Sequence, residues 1–258
     1  MPVRGFVDAV AAVALAVLLT LGAGPARATE AARPLRMAYA DNLPPLAYQE
    51  QGRMRGAWVA VMDELARRLQ LSVEHRGYPW ARAQLMVSAG EADGMLTSAN
   101  PERLGYALAG SESVLENGTR IFVHKSNARI DELAAVRQVD ELRKFNLVSY
   151  LGNGWLKTNL PDARVRWLRT LDDAVRAAAL EENVVLVEGE RLLWPALHRR
   201  QLEDEFIMVG PLLEQTATRL LIGRKSPYAA RLADLDKALA AMRRDGTLKQ
   251  ILAAHGVD

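Results

Sequence analysis

The sequence contains no cysteine among its 258 residues. Disulfide bonds and cysteine-ligated metal sites are therefore excluded, and a lipoprotein anchor is excluded too because its lipid is attached to a thiol. The folded protein has to be stabilised by its buried core instead, which a chain of this length can supply as one bilobed unit or two small domains.

An excess of one charge is also lacking, since 33 Lys and Arg face 31 Asp and Glu and give a net charge of +2. This balance gives no argument for a nucleic-acid partner. The four histidines, at positions 75, 124, 198 and 255, are scattered without the spacing of a metal site, and no nucleophile elbow of the Gly-x-Ser-x-Gly type occurs. We therefore expect no metal, no cofactor and no catalytic residue.

Long hydrophobic runs are missing beyond the N-terminus. The run Ala9–Leu21 has 13 residues, too few to span a bilayer comfortably. Arg4 precedes it and Ala26-Arg27-Ala28 follows it, which is typical of a secretory signal peptide cleaved after Ala28. The alternative is a membrane anchor that stays attached. We expect residues 1–28 to be removed and the remainder to be exported to the periplasm.

Apolar strand patterns alternate with amphipathic helix patterns along the rest of the chain, which favours an α/β fold. The region from Gly90 to Arg103 shows this alternation most clearly. Gly90 ends a helical pattern, Met95–Thr97 is a short strand, and Asn100 caps a new helix with Pro101 at its first position. Arg103 falls in the first turn of that helix, where the macrodipole disfavours a cation. This position suggests a ligand contact, although an exposed arginine is an open alternative.

The order helix, Gly-Glu-x-Asp-Gly, strand, Pro-Glu-Arg resembles the bacterial periplasmic solute-binding proteins of the polar-amino-acid type, family 3. The opening Pro44-Pro45-x-x-Tyr48 and the closing phrase at positions 241–252 resemble the same family. The resemblance implies an α/β, two-lobed, type II periplasmic-binding-protein fold with two crossover strands, near positions 120–124 and 219–222. Lobe 1 would contain residues 33–123 plus 219–258, and lobe 2 residues 124–218.

The resemblance also implies two charged ligand contacts. Arg103 would clamp the α-carboxylate of a solute with two parallel N–H donors, as a planar guanidinium can. Glu188 directly follows an apolar strand and would receive the α-amino group, although a solvated glutamate is the alternative. At these two contacts the sequence departs from the family: the segment from Asp93 to Arg103 is about two residues shorter, and a glutamate stands where an aspartate is usual.

The other candidate ligand contacts are aromatic walls, hydroxyl groups at a strand end, and a Gly-x-Gly turn at a helix N-terminus, where backbone N–H groups can receive an anion. They are Tyr48, Trp80, Thr97, Ser98, Asn153, Gly154 and Trp155. For Tyr48 and Trp80, packing in a loop or in the core is the alternative.

These features predict a binding protein rather than an enzyme. We expect a monomer that binds a small amino-acid-like solute and delivers it to the membrane permease of an ABC transporter. Two alternatives stay open. One is a stand-alone sensory module without a transporter, and the other is an enzyme resembling the cyclohexadienyl dehydratases, with Glu188 as proton donor.

Overall fold

The protein is described here by a computed structural model, which covers residues 33–257. The predicted signal peptide lies outside these residues. All the elements below belong to one compact unit, Pro34–Asp258. The strands are β1 (Leu35–Ala40), β2 (Asn42–Leu43), β3 (Ala47–Glu50), β4 (Arg53–Arg55), β5 (Val73–Tyr78), β6 (Gly94–Ser98), β7 (Ala107–His124), β8 (Asn146–Tyr150), β9 (Val165–Leu168), β10 (Val184–Gly189) and β11 (Phe206–Gly223).

The helices connect and flank these strands. They are α1 (Ala57–Arg68), α2 (Trp80–Ala89), α3 (Pro101–Tyr106), α4 (Ile130–Ala134), α5 (Gly154–Asn159), α6 (Leu171–Leu180), α7 (Glu190–Arg199), α8 (Leu232–Arg244) and α9 (Thr247–Ala254), with 3₁₀ helices at Val139–Lys144 and Pro227–Arg231. In the part of the chain that the structure describes, no helix is long and apolar enough to cross a membrane.

Eight strands form one mixed sheet in the order β5-β1-β6-β11-β7-β10-β8-β9, and β2, β3 and β4 form a small separate sheet. The strands β5, β1 and β6 are mutually parallel, as are β10, β8 and β9. The antiparallel pair β7 and β11 lies between the two parallel groups. The predicted α/β fold is therefore confirmed.

The predicted helix ends are confirmed at the atomic level. Gly90 ends α2 in the left-handed conformation, with φ at 87°. The side chain of Asn100 caps α3 and Pro101 is its first residue. The structure adds a third cap at Thr170, which begins α6 and forms a capping box with Asp173. These local signals succeed because each satisfies the backbone groups that a helix end leaves without intrahelical partners.

The two predicted crossover strands, at positions 120–124 and 219–222, are parts of two longer strands, β7 and β11, of 18 residues each. Pairing between β7 and β11 continues through register irregularities between Val209 and Glu214 and around Arg219. The polar and glycine residues between the two apolar halves of each strand hid this continuity, because a bulge interrupts the alternation that marks a strand.

Three short irregular elements lie beside the regular ones. β2 and the start of β3 form within the region 41–48, which contains two prolines. The 3₁₀ helix Val139–Lys144 follows α4, and the 3₁₀ helix Pro227–Arg231 leads into α8. Short irregular elements of this kind depend on tertiary packing more than on local propensity.

The buried hydrophobic residues fall into four clusters. The buried members of two clusters come from residues 35–115 and 220–257. Those of the other two come from residues 121–209. The change between the two sets occurs within β7 and β11, so these two strands connect the separate hydrophobic cores.

Asp93, from the Gly-Glu-x-Asp-Gly motif, is a fully buried carboxylate. It accepts hydrogen bonds from the backbone N–H of Arg36 and the hydroxyl of Ser226, both at 2.8 Å. We expect Asp93→Ala to lower the free energy of unfolding in urea by about 2–4 kcal/mol, because buried donors lose their acceptor. Asp162→Ala is the control, since Asp162 is exposed and should matter by less than about 0.5 kcal/mol. Equal losses would contradict this role.

Candidate functional site

One cavity lies where the carboxyl ends of β1, β6, β8 and β10 meet the middle of β7 and β11. Open α/β sheets commonly bind ligands at such strand ends. Its volume of about 170 Å³ is small beside the roughly 300–1,000 Å³ of pockets for drug-sized ligands. The cavity is therefore suited to a solute of few heavy atoms.

The structure brings together eight of the nine residues that the sequence nominated. The cavity is lined by Trp80, Thr97, Ser98, Arg103, Asn153, Gly154, Trp155 and Glu188. Tyr48 does not line it. Its neighbour Ala47 does, and successive side chains of a strand point to opposite faces, so Tyr48 on β3 points away. That a ligand binds to the eight residues stays a prediction.

Sequence reasoning missed several polar residues of the cavity wall: Tyr39, Asp41, Asn117, Thr119, Tyr150, Arg169, Arg191, Thr216 and Thr218. Tyr150 ends β8, and the strand-end argument that found Glu188 could have found it. The residues of β7 and β11 carry no such signal, because their place in the cavity depends on the long-range register of those strands.

Arg103 is buried, with 4 % of its surface exposed, so the alternative of an exposed arginine is wrong. Its Nε donates to Gln84 Oε1 at 3.0 Å. Nη1 donates to the carbonyl and the hydroxyl of Ser98 at 2.8 and 3.2 Å, and Nη2 donates to the carbonyl of Gly152 at 3.2 Å. One N–H, on Nη2, is left without an acceptor among residues 33–257. The Trp80 ring lies 5.5 Å from the guanidinium carbon.

The carbonyl of Gly152 accepts from three side chains at once. Trp80 Nε1, Gln84 Nε2 and Arg103 Nη2 lie 3.0, 3.1 and 3.2 Å from it. Gly152 has φ at 91°, and a Cβ built on it would lie 2.6 Å from Gln84 Nε2 and 2.7 Å from Trp80 Cδ1. Only glycine allows this approach between α2 and the turn after β8.

Replacement of Gly152 should therefore be costly. We expect Gly152→Ala to lower the melting temperature by several degrees, because it combines a strained φ with two close contacts. Gly105→Ala is the matched control. A Cβ at Gly105, within α3, would meet nothing within 4 Å, and alanine favours a helix, so stability should be unchanged or slightly higher. Similar melting temperatures for the two variants would refute the close packing at Gly152.

Glu188 is partly exposed, and it lines the cavity. Its carboxylate accepts from the backbone N–H of Gly189 at 2.7 Å and from Asn153 Nδ2 at 3.2 Å. Desolvation raises the pKa of the Glu188 carboxyl to about 7, although the Gly189 N–H, the Tyr150 hydroxyl and the charge of Arg103 oppose the rise. This carboxyl can therefore change its charge near neutral pH.

Asn153 and Trp155 hold the N-terminal turn of α5 in place. Asn153 caps the helix by accepting from Leu156 N at 3.2 Å, and its amide donates to Ser149 and Glu188. Trp155 Nε1 donates to Glu214. The side chain of Asn153 thus orients the Glu188 carboxylate.

The α5 N-terminus itself faces Arg103. A Cβ on Gly154 would lie 2.1 Å from Asn100 Nδ2 and 3.1 Å from Arg103 Nη2. The anion predicted at this turn by the Gly-x-Gly pattern stays a prediction. Among the described residues, no three His, Asp or Glu side chains are grouped as metal ligands.

The site therefore combines an ionisable carboxyl, an aromatic wall and a buried arginine in a small cavity. Glu188 can bind a cation when it is ionised, or hold a proton when it is neutral. Hydroxyl and amide groups on β6, β7 and β11 can accept and donate hydrogen bonds to a polar solute.

Comparison with known proteins gives a consistent result. Residues 35–257 match the family described as bacterial extracellular solute-binding proteins, family 3. The probable amino-acid-binding protein YxeM of Bacillus subtilis (strain 168) is 22% identical over 252 residues, which cover 94% of this chain and 91% of that protein.

Three solved structures illustrate the structural likeness. A histidine kinase sensor domain with similarity to periplasmic binding proteins superposes with a TM-score of 0.73 at 18% identity, over 86% of this chain and 96% of that chain. An ancestral arginine-binding protein bound to arginine gives 0.70 at 17% identity, over 86% and 97%. The ancestral amino acid-binding protein AncCDT-1, a precursor of cyclohexadienyl dehydratase, gives 0.68 at 17%, over 86% and 95%. At these identities the likeness shows the fold alone.

Proposed function

Because the chain belongs to the bacterial extracellular solute-binding proteins, family 3, we propose that it binds a small amine-bearing solute, an amino acid or a related compound. Its fold is the type II periplasmic-binding-protein fold. One observation carries the proposal: Glu188 presents a carboxylate inside the cavity that its hydrogen-bond donors hold in one orientation. An ammonium group is the natural partner of such a carboxylate.

We further propose that the two sets of hydrophobic clusters belong to two lobes, residues 33–123 plus 219–258 and residues 124–218. The change of cluster within β7 and β11 supports this division. The lobes would move about these two strands, and a solute that contacts both lobes would favour their approach.

We propose that the protein serves in transport. The protein would act as a monomer in the periplasm after cleavage behind Ala28, and would present its solute to the membrane permease of an ABC transporter. Membership of an extracellular solute-binding family supports this setting. A sensory module would bind the same solute and differ only in its partner.

A thermal-shift screen against amino acids, amines, sugars and small carboxylates tests the binding function directly. A ligand that binds only the native state raises the melting temperature, and the rise grows with the ratio of the ligand concentration to its dissociation constant. We expect members with a protonated amine to give the largest shifts, and sugars and amine-free carboxylates to give none. A response confined to sugars or to amine-free carboxylates would refute the proposal.

A dehydratase is the second candidate function, because the raised pKa of Glu188 suits a general acid at neutral pH. The site would have to donate this proton to the leaving hydroxyl of a cyclohexadienyl substrate. Conversion of prephenate or arogenate by the wild type, lost in Glu188→Gln, would establish this function in place of simple binding. Absence of turnover at high enzyme concentration would leave the binding proposal.

A further inference from the structure

Gln84 lies one helical turn after Trp80 on α2 and bridges two other groups of the site. Its Oε1 accepts from Arg103 Nε at 3.0 Å, and its Nε2 donates to the Gly152 carbonyl at 3.1 Å. The same carbonyl accepts from Arg103 Nη2 at 3.2 Å. Arg103, Gln84 and Gly152 are therefore joined in a closed ring of three hydrogen bonds.

This ring occupies one of the two N–H edges of the guanidinium at which a carboxylate could bind. A guanidinium binds a carboxylate with two parallel N–H groups, either Nε with Nη2 or Nη1 with Nη2. On the first edge, Gln84 Oε1 and Gly152 O lie where the two carboxylate oxygens would lie. On the second edge, Nη1 already donates to the carbonyl and hydroxyl of Ser98. The single N–H left on Nη2 can donate to one oxygen only. A bidentate pair between Arg103 and a carboxylate is therefore excluded while these hydrogen bonds are in place.

Building on the proposed amine-binding function, we propose that Gln84 determines specificity by filling the carboxylate position of Arg103, so that the solute is a cationic amine whose carboxyl group is absent or masked as an amide. An amide or other neutral carbonyl can accept the remaining N–H of Arg103. The ammonium group of the same solute pairs with Glu188.

The charges of the cavity wall do not decide this specificity, because Asp41 and Glu188 are acidic while Arg103, Arg169 and Arg191 are basic. The hydrogen bonds of Gln84 decide it. A free α-carboxylate would have to displace Gln84 Oε1 or Gly152 O to form a bidentate pair, and either exchange leaves a partly buried polar group without its partner. Arg169 is exposed at the cavity. Binding of a carboxylate by Arg169 or Arg191 instead of Arg103 is a different outcome, and the experiment below distinguishes it from the proposal.

The test uses matched sets of three compounds: an amino acid, its α-amide and its decarboxylated amine, for lysine, arginine, glutamine and phenylalanine. Affinities are measured by calorimetry for the wild type, Gln84→Met and the control Gln250→Met, whose glutamine is exposed on α9. In the wild type and the control, the preferred amide or amine should bind about tenfold to a hundredfold tighter than its amino acid. In Gln84→Met, which frees Nε and removes one neighbour of Gly152, this preference should shrink at least tenfold.

A readout without ligand accompanies the titrations. The Arg103 Nε–H proton, assigned by its loss in Arg103→Lys, should exchange slowly with water in the wild type and fast in Gln84→Met. A fast Nε–H in the wild type overturns the proposal. Tighter wild-type binding of the amino acids also overturns it while amine binding stands, and loss of that preference in Arg169→Gln would place the carboxylate at the cavity rim. If no compound of any set binds, the proposed function fails together with this inference.

Discussion

Glu188→Gln should make the ligand-free protein more stable and the binding of an amine solute weaker. At pH 8 the wild-type carboxyl is ionised, and desolvation makes that ionisation unfavourable in the folded state. The amide of glutamine carries no charge and therefore avoids this desolvation cost. A rise of the pKa from 4.5 to about 7 corresponds to about 3 kcal/mol, so we expect a gain of about 2–3 kcal/mol in the free energy of unfolding.

The same substitution removes the negative partner of the ammonium group. The loss of one charge-assisted hydrogen bond is worth roughly 1.5–3 kcal/mol, which is about tenfold to a hundredfold in affinity. Urea unfolding and calorimetric titration of one amine ligand at pH 8 measure both effects. Glu116→Gln is the matched control, since Glu116 is exposed on β7 and both quantities should be unchanged. A Glu188→Gln protein that is no more stable and binds normally would remove Glu188 from the site.

The affinity for an amine solute should fall as the pH falls below 7. The Glu188 carboxyl is ionised above its pKa of about 7 and neutral below it, and only the ionised form pairs with an ammonium group. Affinity should therefore be highest above pH 7 and decrease by up to tenfold for each pH unit below, about thirtyfold between pH 8 and pH 5.5. In Glu188→Gln the affinity should be low and nearly independent of pH across this range.

Stability without ligand should show the opposite trend. Because the folded-state pKa is raised, the contribution of Glu188 to stability is fully present below pH 4.5 and is lost as the pH rises through about 7. Other groups titrate as well, so the informative quantity is the difference between the wild type and Glu188→Gln. That difference should grow from near zero at pH 4 to its full value at pH 8, and a constant difference would contradict the raised pKa.

Local rules predicted much of the fold and several residues of the cavity wall. Strand ends, helix caps and the resemblance of Pro-Glu-Arg located Trp80, Arg103 and Glu188, and the structure gathers all three around one cavity. Such rules succeed because a helix cap or a buried strand is specified within a few neighbouring residues.

The partners of these residues could not be predicted in the same way. Gln84 meets Arg103 and Gly152 across 19 and 68 positions of sequence, and no local pattern specifies such contacts. Its position one turn after Trp80 on the same helix was a usable signal, since residues four apart share a helix face. Asn117 lines the cavity from the part of β7 that precedes the predicted crossover at 120–124, a part whose pairing with β11 the sequence did not indicate.

A crystal structure of the protein with its best-binding amine or amide from the matched sets tests the account most directly. We expect the ammonium nitrogen of the ligand to lie within hydrogen-bond distance of the Glu188 carboxylate, with Gln84 Oε1 still accepting from Arg103 Nε. A solute bound away from Glu188, or one that contacts this residue only through apolar atoms, would contradict the account.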